Sequence, residues 1–304
     1  MKLLRECPIC RSSKIFRYGH KKLYKKNGSK DLFDAENQFL LDRLNKAFIT
    51  RYICFCRSCT FLFQNPTFDD HDLMNIYDDS RKGTTHYYKK IQTEEDNFIQ
   101  ESLIHRIQEE RQERYAKLIL SHKSTKILDY GGDVGDNLTH PLLISTKRYV
   151  YDFGRERTAR AGITSIKDVN VNEKFDFIIN THVLEHEPDP KLTLLNLHRI
   201  IEPGGILYLE VPFEYIERLL TRRPGAVWHV NYFNRKTLME LANRTGWRCS
   251  SINVETLPYV HITMSCMVAI MRPNCQCSNS YRPKQNILMI YDFFKWLLYR
   301  LKTI

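Results

Sequence analysis

Two pairs of cysteines stand at the spacing that metal-binding knuckles use. Cys7 and Cys10 form one CxxC pair, and Cys56 and Cys59 form the second. Each pair lets two thiolates reach one ion, and four thiolates close a tetrahedral zinc site that keeps no open position for chemistry. Cys54 competes with Cys56, but only Cys56 restores the CxxC spacing. The pattern predicts a structural zinc site, and free core cysteines are the alternative.

A second chemical feature is a glycine-rich turn that follows a short apolar run. The run ends in Asp129 and Tyr130, and the turn contains Gly131, Gly132, Asp133 and Gly135. Glycines let the backbone approach a ligand closely, and a helix starting after the turn offers free N–H groups. We expect such a helix to begin near Asn137. The turn lacks the G-x-G-x-x-G spacing, so it predicts a nucleotide-like ligand other than a dinucleotide.

Two acids stand where such a ligand would need them. Asp152 ends the second predicted strand, where a carboxylate can accept hydrogen bonds from both hydroxyls of a ribose. Asp168 follows the third predicted strand and can accept from an adenine amino group. Asp176 is interpreted as an ordinary strand-entry residue.

Three histidines are candidates for a general base, the group needed to deprotonate a hydroxyl or an enolisable carbon. They are His182, His186 and His229. For His229 the alternatives are hydrogen bonding to substrate and packing beside Trp228. For His186 the alternative is bracing its own loop together with Glu185, and His182 is expected to line the ligand pocket.

Alternating strands and helices must position these groups, and the alternation predicts an α/β fold. Helices are predicted over 94–122, 191–201 and 236–245, the second closed by Pro203-Gly204-Gly205 and the third by Gly246. The fold class is a Rossmann-like sheet of seven strands with a C-terminal hairpin, preceded by a small zinc-binding domain. The predicted strands are 126–130, 148–151, 163–166, 175–180, 206–211, 247–254 and 264–271.

Four segments are predicted along the 304 residues. Residues 1–66 form the zinc-binding domain, with a partly helical insertion around 36–47 and a short strand at 61–65. Residues 67–122 form a helical linker, capped by Thr67 or Asp69, in which 78–93 is a linker or lid. Residues 123–272 form the ligand-binding domain, and 273–304 form a basic amphipathic tail.

The net charge of +11 is concentrated at the two ends of the chain. Residues 1–60 carry +9, residues 61–271 carry −3 and residues 272–304 carry +5. Basic ends favour contact with phosphate, nucleic acid or a membrane face, and a solvated surface is an equal alternative. The tail at 286–304 fits a helix lying on an anionic surface or one packing on the sheet or on a partner subunit.

The cysteine count and the hydropathy suggest where the protein works. Nine cysteines without a secretion signal favour a reducing compartment over a disulfide scaffold. We expect no signal peptide and no transmembrane helix. The expected location is therefore the cytoplasm, with peripheral contact at the inner face of the membrane through the tail.

Three segments in order resemble the class I S-adenosylmethionine-dependent methyltransferases over roughly residues 95–271. Residues 127–135 (ILDYGGDVG) resemble motif I, and residues 175–186 (FDFIINTHVLEH) resemble the "FDxI…HVLEH" segment. Residues 203–212 resemble the "kPGG.l.levP" signature that ends strand five. The two CxxC pairs followed by Phe-Leu-Phe-Gln-Asn-Pro at 61–66 are similar to the zinc-binding domain of sugar C-methyltransferases and related polysaccharide and nucleotide-sugar enzymes.

The resemblance implies S-adenosyl-L-methionine as cofactor, beside the structural zinc. Tyr130, Gly131 and Gly135 would lie against its methionine part, and Asn180 to Leu184 would border the sulfonium. Asp152 would hold the ribose and Asp168 would lie near adenine. The full candidate set is Asp129, Tyr130, Gly131, Gly132, Asp133, Gly135, Asp152, Asp168, Asn180, Thr181 and His182.

Asp133 departs from the family pattern, which has a glycine at this position. Its side chain would crowd the cofactor, or its carboxylate would pair with the cofactor's ammonium group. Loss of affinity for the cofactor is the third alternative, and the sequence leaves all three open.

The resemblance also implies an activity in carbohydrate biosynthesis. Residues 228–233 (WHVNYF) are similar to an "HxHxSYF" segment whose histidine serves as base, and His229 matches the second histidine. The predicted function is methyl transfer to a sugar, a nucleotide sugar or a glycan end. The alternatives are an RNA methyltransferase that holds its substrate with the basic zinc domain, and a binding protein that keeps the fold without catalysis.

Overall fold

Two β-sheets organise the chain in the computed structural model, which describes residues 1–25, 32–77, 94–153, 158–169, 173–225, 228–259 and 262–274. The predicted lid at 78–93 and the predicted tail beyond residue 274 lie outside these ranges. The helices are α1 (Leu32–Arg43), α2 (Asp70–Ile76), α3 (Glu94–Ser121), α4 (Pro190–Ile200), α5 (Tyr215–Thr221) and α6 (Arg235–Arg244). The strands are β1 (Ile15–Tyr24), β2 (Phe48–Cys56), β3 (Leu62–Asn65), β4 (Lys126–Tyr130), β5 (Lys147–Tyr151), β6 (Thr164–Ser165), β7 (Phe175–Thr181), β8 (Ile201–Pro212), β9 (Asn231–Tyr232), β10 (Trp247–Tyr259) and β11 (Ile262–Pro273).

The larger sheet confirms the predicted seven-stranded α/β fold. Its strand order is β6-β5-β4-β7-β8-β11-β10. The five strands from β6 to β8 run parallel, β11 pairs antiparallel with β8, and β10 pairs antiparallel with β11. The chain winds outward in two directions from β4, so the carboxyl ends of β4, β5 and β7 meet where the strand order reverses. Ligands of open α/β sheets bind at this edge.

Apolar residues on alternate faces of the central strands hold the sheet between two layers. Ile127 and Leu128 are both fully buried, and they belong to different core clusters on opposite faces. On one face α3 packs through Tyr115, Ala116 and Ile119. The other face is covered by α4 and α6, whose first turns are capped by Asp189 and Asn234.

The smaller sheet is antiparallel, with the order β1-β2-β3-β9. Its fourth strand comes from Asn231–Tyr232, far along the chain, so the N-terminal segment and the methyltransferase-like segment share one sheet. The Tyr215 hydroxyl of α5 donates to the Thr60 carbonyl at 2.7 Å, and the Tyr18 hydroxyl donates to the Leu219 carbonyl at 2.9 Å. These contacts attach β1 and the turn before β3 to α5, the helix that follows β8.

The prediction of a helix beginning near Asn137 is wrong. Two single 3-10 turns, Asp136–Leu138 and Pro141–Leu143, stand in its place. Pro141 explains the difference, because proline disfavours the α conformation in the residue before it and removes a backbone donor. The ligand edge therefore has no long helix dipole behind the glycine turn.

The start of the fifth parallel strand also differs from the prediction. The helix α4 ends at Ile200, and β8 begins at once at Ile201, which pairs with Phe175. The pairing register shifts between Phe175 and Phe177, and Gly204 has a φ of +85°. The Pro-Gly-Gly segment therefore forms an irregularity within a strand rather than a helix stop. The third predicted strand is shorter than expected: it is the two-residue edge strand Thr164–Ser165.

Among the described helices, none combines the length and the apolar composition that crossing a bilayer requires.

Candidate functional site

The glycine turn after β4 packs closely against the loop that follows β7. Gly131 and Gly135 have φ values of +78° and +87°, and a Cβ on Gly131 would lie 2.3 Å from Val183 Cγ2. Asp133 has a φ of +53°, so it takes the left-handed conformation in which aspartate is enriched. Asp133, which replaces the glycine of the family pattern, therefore keeps a backbone conformation that glycine would also adopt.

The predicted ribose acid contacts this turn directly. The backbone N–H of Asp133 donates to Asp152 Oδ2 at 2.7 Å. The pKa of Tyr151, at the end of β5, is raised by burial and by the carboxylates of Glu187, Asp152 and Asp168. Asp152 and Asp168 follow β5 and β6, which run parallel to β4, so both acids lie on the carboxyl side of the sheet, as the turn does. Glu187, which the sequence did not suggest, also acts on Tyr151.

Asp129 lies beneath the turn rather than in it. The side chain is 1% exposed, and Asn137 Nδ2 donates to its Oδ2 at 3.1 Å. A Cβ on Gly132 would lie 2.2 Å from the Asp129 carboxyl carbon. Burial raises the pKa of Asp129 to about 7, with a smaller contribution from the charges of Asp152 and Asp136. This carboxyl supports the turn from below.

The carboxyl end of β7, the strand next to β4, carries Asn180 and Thr181, and His182 follows directly. The Asn180 side chain is fully buried and donates to the Tyr130 carbonyl at 3.5 Å. Thr181 Oγ1 lies 3.1 Å from the Tyr115 hydroxyl of α3. His182 has a φ of +54°, which turns its side chain out of the strand direction.

His182 belongs to a charged network at the ends of β7 and β8. Its Nε2 lies 3.0 Å from Glu210 Oε1, and Arg111 of α3 lies 2.9 Å from the same carboxylate oxygen. Burial opposes protonation of His182, but contacts with Cys266, Glu185 and Glu210 raise its pKa well above the usual range. A raised pKa makes His182 a poor general base, and its position suits an electrostatic role at the carboxyl end of the sheet.

His229 has a different partner, one that sequence reasoning missed. Its Nδ1 lies 2.6 Å from Glu214 Oε2, in the loop between β8 and α5. Burial alone would lower the pKa of His229, and the Glu214 carboxylate raises it above the usual value. One sequence signal could have identified Glu214: it stands two residues after Pro212, at the carboxyl end of a parallel strand.

His186 lies between these two histidines. The His186 and His229 rings are 5.0 Å apart at an interplanar angle of 69°, and His186 Nε2 lies 3.6 Å from Glu185 Oε1. Burial lowers the pKa of His186 to about 4, so its imidazole is neutral near pH 7. Burial would raise the pKa of Glu185, but the surrounding imidazoles lower it to about 2. The three predicted catalytic histidines therefore border one buried carboxylate.

The two CxxC pairs converge in the N-terminal segment. Cys7 Sγ lies 3.5 Å from Cys59 Sγ, and Cys10 Sγ lies 3.5 Å from Cys56 Sγ. All four sulfur atoms lie within 4.8 Å of one another, and none forms a disulfide. A tetrahedral zinc ion with Zn–S bonds of about 2.3 Å would place its sulfurs roughly 3.8 Å apart. The four thiols fit such an ion, and Cys54 lies outside the group.

The buried Asp129 carboxyl should give the protein a pH-dependent stability. Its pKa in the folded state is above the unfolded value, so its favourable contribution is present below about pH 4 and is lost as the pH rises through about 7. We expect Asp129→Asn to raise the free energy of unfolding at pH 8 by on the order of 2–4 kcal/mol and to change it little at pH 4. Urea unfolding at the two pH values measures this, and an equal effect at both would contradict it.

The chain is similar in sequence to one protein family and in fold to several solved structures. The profile of a family described as "Methyltransferase domain" matches residues 100–252, half of the chain. No curated protein matches the sequence. Among solved structures, an S-adenosylmethionine-dependent methyltransferase from Clostridium acetobutylicum ATCC 824 has a TM-score of 0.41 and 11% identity, covering 54% of this chain and 90% of that one.

Two further structures are similar at the same level. Magnesium protoporphyrin IX methyltransferase (ChlM) from Synechocystis PCC 6803, solved with bound SAH, has a TM-score of 0.46 and 14% identity, covering 66% of this chain and 99% of that one. The N-methyltransferase NodS from Bradyrhizobium japonicum WM9 has a TM-score of 0.39 and 19% identity, covering 55% and 97%. The family assignment depends on the profile: this chain belongs to the methyltransferase-domain family, and it is a methyltransferase.

Proposed function

We propose that this enzyme methylates a small hydroxylated acceptor, a sugar, a nucleotide sugar or a glycan end, with His229 as general base. The observation that carries the proposal is the 2.6 Å contact between His229 Nδ1 and Glu214 Oε2 in a buried cluster beside the ligand edge. A base held by a second group is the arrangement that proton removal from a weak nucleophile needs.

The chain's own residues explain how the cofactor would be held. Bound S-adenosylmethionine supplies an electrophilic methyl group. Asp152 would accept from the ribose while its other contact, the Asp133 N–H, keeps the carboxylate in place. The turn at 131–135, with left-handed residues at Gly131, Asp133 and Gly135, would bring its backbone close to the ligand, and the Asp133 carboxylate would pair with the ammonium group.

His229 would act on the acceptor through its second ring nitrogen. A neutral His229 that donates its Nδ1 hydrogen to Glu214 keeps a lone pair on Nε2, and that nitrogen takes the proton of the acceptor as the methyl group transfers. The imidazolium formed in this step is stabilised by the Glu214 carboxylate. Methyl transfer needs little more than this deprotonation and an in-line approach of the acceptor.

The N-terminal segment contacts the backbone of His229 and the residues around it. Gln64 Nε2 of β3 donates to the His229 carbonyl and, at 2.5 Å, to the Tyr232 hydroxyl. Arg11, beside the first cysteine pair, forms an ion pair of 2.5 Å with Asp189 at the start of α4. We propose that a zinc ion on Cys7, Cys10, Cys56 and Cys59 stabilises this support, and the resemblance of the segment to sugar methyltransferases favours a carbohydrate acceptor.

The acceptor class is tested by incubating the enzyme with methyl-labelled cofactor and a panel of nucleotide sugars, with RNA as the comparison. We expect label in a nucleotide sugar. Label in RNA alone would contradict the proposal.

Asp152→Ala should abolish cofactor binding without unfolding the protein, because the ribose hydroxyls lose their acceptor. Isothermal titration with S-adenosylhomocysteine measures the affinity, and circular dichroism checks the fold. Glu202→Ala, at the opposite end of β8 and exposed, is the matched control. Wild-type affinity in Asp152→Ala would remove the ribose assignment.

His229→Ala should reduce kcat by roughly 10²–10⁴-fold, the usual contribution of a general base, and leave cofactor affinity unchanged. Glu214→Gln should reduce kcat less, because the imidazole remains but loses the charge that stabilises its protonated form. Both are measured with the acceptor found in the screen. Unchanged turnover in His229→Ala would exclude this residue as the base.

Cys56→Ser should release zinc and lower the melting temperature, because a structural zinc ion contributes to folding directly. Cys54→Ser is the matched control, since this buried cysteine lies on the same strand and outside the sulfur group. Elemental analysis and thermal melts measure the two effects. Equal zinc content in both variants would contradict the proposed ligand set.

A further inference from the structure

A second group of potential metal ligands lies inside the methyltransferase segment, away from the cysteines. One oxygen of Glu185 and one ring nitrogen each of His186 and His229 lie within 4.8 Å of one another. Two histidines and one carboxylate are a ligand set that borderline divalent ions such as zinc prefer. The proposed base mechanism uses only His229 of these three, so it does not explain the other two.

The carboxylate of Glu185 is the first observation that points to a cation. Its side chain is 2% exposed, and neither oxygen accepts a hydrogen bond from the residues that the structure describes. Oε1 lies 3.3 Å from Nδ1 of His182, an imidazole whose Nε2 already contacts Glu210, and 3.6 Å from Nε2 of the neutral His186. Neither contact is an aligned hydrogen bond. A buried carboxylate in this state is costly unless a cation completes its coordination.

The histidine tautomers are the second observation. His186 Nδ1 lies 3.1 Å from the Trp228 carbonyl, which can only accept, so Nδ1 donates and Nε2 keeps its lone pair on the side of Glu185. His229 Nδ1 donates in the same way to Glu214. Metal-binding histidines usually donate their other ring N–H to a carbonyl or a carboxylate, and that contact orients the ligating nitrogen. Both rings already have this orientation.

The loop that carries two of the ligands is fastened to the segment that carries the third. The backbone N–H groups of Val230 and Asn231 donate to the Glu185 carbonyl at 2.8 and 3.0 Å. Asn231 Nδ2 also donates to the Leu184 carbonyl at 3.1 Å. The three side chains are therefore presented from two backbone segments that cannot easily separate.

A neighbouring group with similar ligand atoms shows what a site closed to metal looks like. His182, Glu210 and Cys266 also lie within 4.8 Å of one another. The Arg111 guanidinium lies 3.0 Å from His182 Nε2 and 2.9 Å from Glu210 Oε1, so a protein cation already neutralises that carboxylate. None of the described contacts of Glu185 involves a lysine or an arginine.

We propose that Glu185, His186 and His229 form a binding site for a divalent transition-metal ion of the zinc class, separate from the cysteine site. The 3.6 Å between His186 Nε2 and Glu185 Oε1 is close to the roughly 3.3 Å expected between ligands of a tetrahedral ion. An ion bound here occupies the His229 lone pair, so it inhibits proton removal from the acceptor. The inhibition rests on the proposed function, whereas the binding does not.

Cobalt titration of the full-length protein, with zinc already on the cysteines, tests the site. We expect one further equivalent of Co²⁺ to bind with visible d–d bands and without the thiolate-to-metal charge-transfer band of a cysteine site. His186→Ala should lose this equivalent. Glu214→Gln removes the negative charge of the group that orients His229 and should weaken binding roughly 10–100-fold, the usual effect of disturbing such a partner. His20→Ala, an exposed histidine on β1, is the matched control.

The outcomes separate the two proposals. Absence of a saturable further equivalent in the wild-type protein, or equal uptake by wild type and both His186→Ala and Glu214→Gln, would overturn the metal site. Since Glu214→Gln keeps all three ligands, it provides the comparison if His186→Ala does not fold. Methyl transfer is then measured in chelator and in added Zn²⁺. Binding without inhibition would show that the site exists and that His229 is not the base.

Discussion

The clamp between the loop after β7 and the segment before β9 is the contact on which the site depends. The Glu185 carbonyl accepts hydrogen bonds from two successive backbone N–H groups, those of Val230 and Asn231. This joins the carboxyl edge of the seven-stranded sheet to the smaller sheet, because Asn231–Tyr232 is the strand that pairs with β3. Without this clamp, His186 and His229 would belong to separate parts of the molecule.

The clamp concentrates buried charge in a small volume, and compensation between neighbours makes this possible. Glu210 is paired with Arg111 and His182, and Glu214 is paired with His229. Unpaired, each buried carboxylate would cost several kcal/mol. Glu185 differs because its neighbours are ring nitrogens that it does not meet as aligned hydrogen-bond partners. The proposed base and the proposed cation ligands therefore share one cluster, and the two uses compete for the His229 lone pair.

The N-terminal segment is structurally continuous with the catalytic half. Its sheet is completed by β9, its first knuckle is paired with the start of α4 through Arg11 and Asp189, and Gln64 supports the backbone of His229. The four cysteines hold the two ends of this segment together around one point. A structural ion there would act on the site through these contacts and not through chemistry of its own.

Local patterns in the sequence were sufficient for the sheet and for the strand ends at which the candidate residues lie. The strand at 126–130 was predicted with its observed bounds, because an apolar run between a helix end and a glycine turn has few alternatives. The helix after the turn was predicted wrongly, since Pro141 breaks the segment into 3-10 turns. The contact between the Asp133 N–H and Asp152 could not be read from the sequence, because it joins residues 19 apart that the pairing of β4 with β5 brings together.

The sequence by itself determined the fold class, the family resemblance and the residue types at the site, since these follow from periodicity and spacing along the chain. Only the tertiary structure decided which groups are partners. Glu214 and His229 are 15 residues apart, Glu185 and His229 are further apart still, and Gln64 comes from the other sheet. Such contacts depend on how β8, β9 and the loop after β7 pack together. Hydrophobic periodicity predicts each strand and helix but not the distance between side chains at their ends.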